Sequence, residues 1–194
     1  MHISLIQAVL IAIFYYLSWS PWLTYVGFFT WNRPLLAGFV TGIILGDPVQ
    51  GAIIGAGINM IYLGFISAGG AQMGDPAFAG YVGTALAIAS KLDVSTAMAI
   101  AVPLGTVATV LWIGKMTVNS FFAHWADREV QKGNVDRVAF INIVPPQILL
   151  FAMSFIPALL VVYFGPNAID GMLEVMNDNV LHVFNVIGAM LPAL

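Results

Sequence analysis

The chain has 194 residues, of which 60% are hydrophobic and 8% charged, with six basic and nine acidic side chains. Soluble domains carry about 25% charged residues, so this composition excludes an ordinary soluble domain, a disordered chain, a coiled coil and a nucleic-acid binder. There is no cysteine, which excludes disulfides, thiolate zinc sites and thiol chemistry. Residues 1–32, 48–74, 94–114 and 138–169 carry no charge, and each run exceeds the roughly 20 residues that cross a bilayer as a helix. The predicted fold class is all-α, a polytopic helical membrane protein forming one unit over residues 1–194. A net charge of −3 then says little about partners, because most of the surface faces lipid.

The first span is predicted over residues 3–32. Its start, Met1-His2-Ile3-Ser4, lacks the basic flank of a cleavable signal peptide and reads as part of the span. Tyr15, Tyr16, Trp19, Trp22, Tyr25 and Trp31 mark a membrane boundary, where Trp and Tyr concentrate, and Pro21 predicts a kink or break. Residues 34–90 are glycine-rich and divide into segments too short for simple spans. Gly38, Gly42 and Gly46 recur every four residues, as do Gly51 and Gly55; on a helix that spacing lets another backbone approach closely. With the Asp47-Pro48 break between them, Leu35–Gly46 and Gly51–Ser67 predict short broken or re-entrant helical hairpins of the kind that line transport sites.

Ser67–Asp75 is a loop by composition, Pro76–Ser90 a further short apolar segment, and residues 94–114 a full span containing Pro103. Residues 115–138 hold four of the six basic residues, Lys115, Arg128, Lys132 and Arg137, and are expected to form a cytoplasmic loop by the positive-inside rule, with a surface helix at His124–Glu129. A second long span is expected over 139–164, interrupted by Pro145, Pro146 and Pro157. Residues 167–194 are expected to form an amphipathic helix, with Asp170, Glu174 and Asp178 on one face, followed by the start of a further membrane element.

Polar groups inside a membrane are costly unless paired or functional. Candidates for contacting a polar solute are Gln7, Asn59, Ser67, Gln72 and Asp75. Gln7 and Asn59 read equally well as interhelical hydrogen bonds that hold the bundle together, and Asp75 before Pro76 can cap a helix. Asp47 before Pro48 fits a cap better than a ligand. Arg33 reads as an interfacial anchor or as a partner for Asp47. His2, His124 and His182 have no metal-ligand spacing, and neither a metal nor a cofactor is implied.

Asn32-Arg33-Pro34-Leu35-Leu36, Gly42-Ile43-Ile44-Leu45-Gly46-Asp47, Gly51-Ala52-Ile53-Ile54-Gly55 and Met60-Ile61-Tyr62-Leu63-Gly64 together resemble the membrane subunit IIC of the mannose/fructose/sorbose family of the bacterial phosphotransferase system. The opening Ile3-Ser4-Leu5-Ile6-Gln7, the Gly69-Gly70-Ala71-Gln72 loop, His124-Trp125-Ala126-Asp127 and Asn185–Ala193 extend the resemblance over nearly the whole chain. It implies a multi-pass permease subunit in the bacterial cytoplasmic membrane, paired with a IID subunit as a trimer of pairs. Cytoplasmic IIA and IIB phosphocarriers would phosphorylate a hexose or amino sugar as it enters, so the IIC chain itself carries no catalytic residue. Family chains usually continue past the point where this one ends, so a chain cut before its last helices is expected. Many relatives carry a glutamate where Asn59 stands; asparagine can still bond a sugar hydroxyl but cannot carry charge.

Other classes compete. An ion-coupled secondary transporter calls for intramembrane carboxylates, and only Asp47 and Asp75 are on offer, both at segment ends. An intramembrane serine enzyme would need a nucleophile elbow, and Gly64–Gly69 does not have that spacing. A role as a bacteriocin or phage receptor is compatible with the permease.

Overall fold

A computed structural model describes residues 2–23, 30–64, 74–175 and 178–191. Among these residues every regular element is helical. Helix α1 spans Leu5–Trp19, α2 Pro34–Leu45, α3 Pro48–Tyr62 and α4 Pro76–Ala89, which contains a π-helical stretch over Ala79–Gly83. Helix α5 runs Val94–Gln131, α6 Val135–Val175 and α7 Asp178–Met190.

Local chemistry sets the helix ends. Ser4 opens α1 with a capping box: its Oγ accepts from Gln7 N, and its own N–H donates to Gln7 Oε1 at 3.0 Å. Helix α1 stops at Trp19, ahead of Ser20 and Pro21, well before the end of the uncharged run. Pro34, Pro48 and Pro76 each start a helix, where the missing N–H costs nothing. The sharp α2–α3 corner is closed by Gly46 at φ 89, with Asp47 N–H bonded to Gly42 O and Gly46 N–H to Ile43 O, the paired bonds of a Schellman motif. Asp47 then caps α3 through Gln50 N–H at 3.0 Å. This is the cap expected from Asp47-Pro48. Arg33 and Asp47 lie at opposite ends of α2, about 18 Å apart by helix rise, and do not pair.

The four-residue glycine spacing works as expected in the α2–α3 pair. A Cβ on Gly38 would fall 2.5 Å from Gly51 O and 2.7 Å from Gly55 Cα, so the two helices touch backbone to backbone. Gly46 is the exception: it belongs to the corner and faces open space. Helix α4 is the centre of the bundle, buried from Ala77 through Ala89. Its Tyr81 is fully enclosed and donates to Trp31 O at 3.2 Å. The short segment 76–90 is thus a buried core helix.

Two expectations are corrected. Residues 115–138 do not form a loop with a separate surface helix; α5 continues unbroken through Gln131. Between Gly114 and Gly133 the sequence has neither glycine nor proline, so nothing stops the helix until Gly133 turns the chain at φ 75. Likewise α6 runs past both ends of 139–164 and retains Pro145, Pro146, Pro157 and Pro166 inside it. Neighbouring helices make such internal prolines tolerable in membrane bundles. The expected amphipathic helix from 167 is in part the end of α6 and in part α7. At 1.5 Å per residue α5 and α6 are each about 57 Å or longer, nearly twice the hydrocarbon thickness.

Candidate functional site

Asp75 is almost wholly enclosed in the bundle, at 2% exposure. It caps α4 through Phe78 N–H at 2.9 Å. It also accepts from the Tyr15 hydroxyl at 2.7 Å and from Trp19 Nε1 at 3.2 Å, both on α1. Its backbone N–H donates to Gly105 O of α5 at 2.8 Å. One residue thereby ties α1, α4 and α5 together. Tyr15 stands edge-on to Phe78 and Tyr81, so the aromatic shell that excludes water also supplies the donor.

Lys115 of α5 faces the same cluster. Its Nζ lies 5.1 Å from the centre of the Trp19 ring, a cation–π distance. Lys115, Trp19 and Asp75 line a narrow gap with Tyr15, Trp112 and Ser154. On the far side of Trp19 and Lys115 a larger cavity opens, with a volume of about 460 Å³, within the roughly 300–1,000 Å³ of small-molecule sites. Trp19, Trp22, Pro146 and Leu150 form its apolar wall; Lys115, Asn119, Asn142 and Gln147 supply polar groups. Asn119 Oδ1 is shut away from solvent without a hydrogen-bond partner. Gln147 is held in place by α1, its Nε2 donating to Tyr16 Oη at 2.6 Å and Ser20 Oγ at 3.0 Å. Pro145 and Pro146 deprive the carbonyls of Ile141 and Asn142 of their usual donors four residues on, which adds acceptor capacity beside the cavity. Such a site offers flat apolar surface for a ring face and several amides for hydroxyls.

Of the residues expected at a binding site, Asp75 adjoins this cavity across the Trp19–Lys115 wall. Gln7 does not: beyond its capping box, its Nε2 donates to Ile44 O, in the last turn of α2, at 3.1 Å. That is the interhelical bond of the alternative reading. Asn59 is half-buried in α3 and does not line the cavity. Ser67 and Gln72 lie outside the described residues. The sequence reading missed Lys115, Asn119, Asn142 and Gln147. A signal was present: Asn142 and Gln147 are polar amides within the uncharged run 138–169, and Lys115 and Asn119 are one helical turn apart. His2, His124 and His182 are exposed, and no cluster of metal-binding side chains occurs among the described residues.

A bundle of apolar helices around a buried carboxylate and a polar cavity defines a helical membrane protein. Its family follows from residues 5–194, which match the sorbose-specific IIC component of the phosphotransferase system; the chain belongs to that family. It is 33% identical to the sorbose-specific EIIC component of Lacticaseibacillus casei over 92% of this chain and 64% of the relative. It is 34% identical to the mannose-specific EIIC component of Escherichia coli strain K12 over 84% of this chain and 61% of the relative. It therefore spans less than two thirds of these two relatives' lengths. Among solved structures it resembles a chain of the mannose transporter ManYZ in complex with microcin E492, with a TM-score of 0.76 and 31% identity over all of this chain and 77% of that one. Another membrane protein of known structure aligns with a TM-score of 0.83 and 30% identity over 99% of this chain and 77% of the other.

Proposed function

We propose that the chain is the sugar-translocating part of a phosphoenolpyruvate-dependent permease, and that the cavity between α1, α5 and α6 forms part of its sugar site. The observation that carries this reading is the cavity itself: two tryptophans facing three amides and an ammonium inside helices that are otherwise apolar. Polar groups at that depth are costly unless a solute uses them. Asp75 fixes the Trp19 wall through its hydrogen bond from Trp19 Nε1.

In this reading the α5–α6 turn, with Arg128, Lys132 and Arg137, lies on the cytoplasmic side of a bacterial inner membrane, and the chain crosses that membrane several times. A IID subunit completes the translocation unit. IIA and IIB carriers supply the phosphoryl group, and the chain itself performs no chemistry. The substrate belongs to the hexoses and amino sugars; relatives are named for mannose, sorbose, fructose and N-acetylgalactosamine. Uptake of labelled sugars tests the reading in cells that hold the partner subunits. Accumulation that stops when phosphoenolpyruvate is exhausted supports it. Accumulation that persists and collapses with the ion gradient would make the protein a secondary transporter.

A further inference from the structure

We infer that Lys115 is a positioning residue that acts through Trp19: with Asp75 it forms a charge pair that clamps the indole between them and so fixes the wall of the cavity. The inference rests on the permease reading for its transport readout alone. Trp19 is held in two ways. Its Nε1 donates to Asp75 at 3.2 Å, which fixes the rim of the indole. The Lys115 ammonium stands 5.1 Å from the centre of the ring, which holds the face by cation–π attraction. The anchors come from different elements, Asp75 from the cap of α4 and Lys115 from α5. Their opposite charges attract across the gap that both line. They do not touch: among the described residues the ion pairs within 4 Å are those of Glu129 with Lys132 and Arg137.

A lysine at a membrane boundary ordinarily extends its ammonium to the headgroups. Lys115 lies about 32 Å along α5 from Val94, close to such a boundary, yet it is half-buried and lines the gap with Tyr15, Asp75 and Trp112. The Asp75 carboxylate is the charge that draws it there. The two sides of the wall differ in size. The gap has a volume of about 10 Å³, no more than a single water needs, whereas the cavity holds about 460 Å³. Trp19 and Lys115 line both spaces, so the position of one indole sets where the cavity ends. Removing one partner of a buried pair leaves the other charge uncompensated, whereas removing both does not. That difference separates what the pair does for folding from what it does for the ring.

The chain is labelled with 5-fluorotryptophan and reconstituted with its IID subunit in nanodiscs. The Trp19 resonance is the fluorine signal lost in Trp19→Phe. Lys115→Met, Lys115→Arg, Asp75→Asn and the double Asp75→Asn/Lys115→Met are compared with the wild type, each checked by size exclusion and thermal unfolding. Lys115→Met should shift or split the Trp19 resonance, and Lys115→Arg, which keeps a cation over the ring, should leave it near the wild-type position. The losses in unfolding temperature of the two single variants should not add in the double variant, because no unpaired charge remains, while Trp19 stays displaced. In uptake, Lys115→Met should raise KM by about 3- to 10-fold with Vmax per assembled molecule within about 2-fold. In a Trp19→Leu background the same change should leave KM unaltered, since a residue that acts through Trp19 has nothing left to hold.

A Trp19 resonance that does not move in Lys115→Met overturns the inference. So does an arginine variant that behaves as the methionine one, which would trace the effect to side-chain shape rather than charge. Additive losses in the double variant would show that the two charges are uncoupled and overturn it as well. A further rise in KM when Lys115→Met is added to Trp19→Leu makes Lys115 a solute contact in its own right, with the same consequence. Should Lys115→Met fail to assemble, Lys115→Gln carries the same comparisons. A wild-type complex that takes up no sugar with phosphoenolpyruvate present fails the permease reading instead, and the fluorine and unfolding results then decide the clamp by themselves.

Discussion

Tyr15 and Asp75, sixty residues apart in the chain, meet in a 2.7 Å hydrogen bond from the phenol to the carboxylate. The bond joins the boundary end of α1 to the first turn of α4, and Trp19 adds a second donor from the same helix at 3.2 Å. Tyr15→Phe removes one donor while Trp19 and Phe78 continue to serve the carboxylate. The expected loss is about 1 kcal/mol. Asp75→Ala leaves the Tyr15 hydroxyl, the Trp19 indole and the Phe78 amide without their acceptor and should cost at least about 3 kcal/mol. Thermal unfolding of the purified protein in detergent measures both. Equal effects would mean that Asp75 acts only through Tyr15.

Gly105 carries the third side of that junction. Its carbonyl accepts from Asp75 N–H at 2.8 Å, and a Cβ there would lie 2.9 Å from Asp75 O and collide with the Tyr62 hydroxyl. Gly38, on the α2–α3 contact, is equally tight against Gly51 and Gly55. Gly105→Ala and Gly38→Ala should each destabilise by about 1–3 kcal/mol through overpacking. Gly64→Ala, where nothing lies within 4 Å of the new atom, is the control and should change little. Because the Gly105 variant disturbs the Asp75 junction and the Gly38 variant does not, only the former should also weaken sugar uptake per folded molecule. Matching uptake in the two variants would argue that Asp75 has no bearing on the cavity.

The backbone devices could be read from the sequence because they are local. Glycines four apart on neighbouring helices and an Asp-Pro at a corner each state their geometry within a few residues. The cavity could not be read, because it is assembled from Trp19, Lys115 and Gln147, which only the packing of α1 against α5 and α6 brings together. Lys115 shows why. Counted with the other basic residues it belongs to a hydrophilic loop; yet the helix does not end at Gly114, and its next turns bring Lys115 and Asn119 to the cavity. Gln7 shows the opposite limit: a polar group in an apolar helix marks a constraint but does not say whether a ligand or a neighbouring helix meets it.

The α5–α6 turn has its own electrostatic clamp. Glu129 is enclosed at 2% exposure and accepts from Lys132 Nζ at 2.8 Å and Asn134 Nδ2 at 2.9 Å, with Arg137 at 3.7 Å. The Lys132 and Asn134 hydrogen bonds hold its carboxyl below the usual glutamate range. The folded pKa is thus lower than the unfolded value of about 4.3. The stabilisation is complete above that value and is lost as pH falls through the folded pKa. Hydrogen exchange at residues 130–135 should therefore quicken on acidification from about pH 5 to pH 3 beyond the intrinsic trend. Glu129→Gln should exchange faster throughout and lose that extra acid dependence. Identical pH profiles for the two proteins would show that the carboxylate does not hold the turn.

The cavity amides give the sharpest test of the site. Gln147 is anchored by Tyr16 and Ser20, whereas Asn119 Oδ1 has no partner and Asn142 lines the cavity from α6. Asn119→Ala removes an unsatisfied acceptor, so the protein should be as stable as the wild type, or more so. If the Asn119 amide, which lines the cavity, normally meets a sugar hydroxyl, the same change should raise the KM for uptake by about 10-fold. Gln147→Ala frees Tyr16 and Ser20 as well and should lower stability and sugar affinity together. Gln7→Ala lowers stability by about 1–2 kcal/mol through the lost cap and the lost bond to Ile44, with KM unchanged. Uptake kinetics and unfolding temperatures on the same preparations separate these three patterns. A Gln7 variant that raises KM while Asn119→Ala does not would move the sugar site away from the α1–α5–α6 cavity.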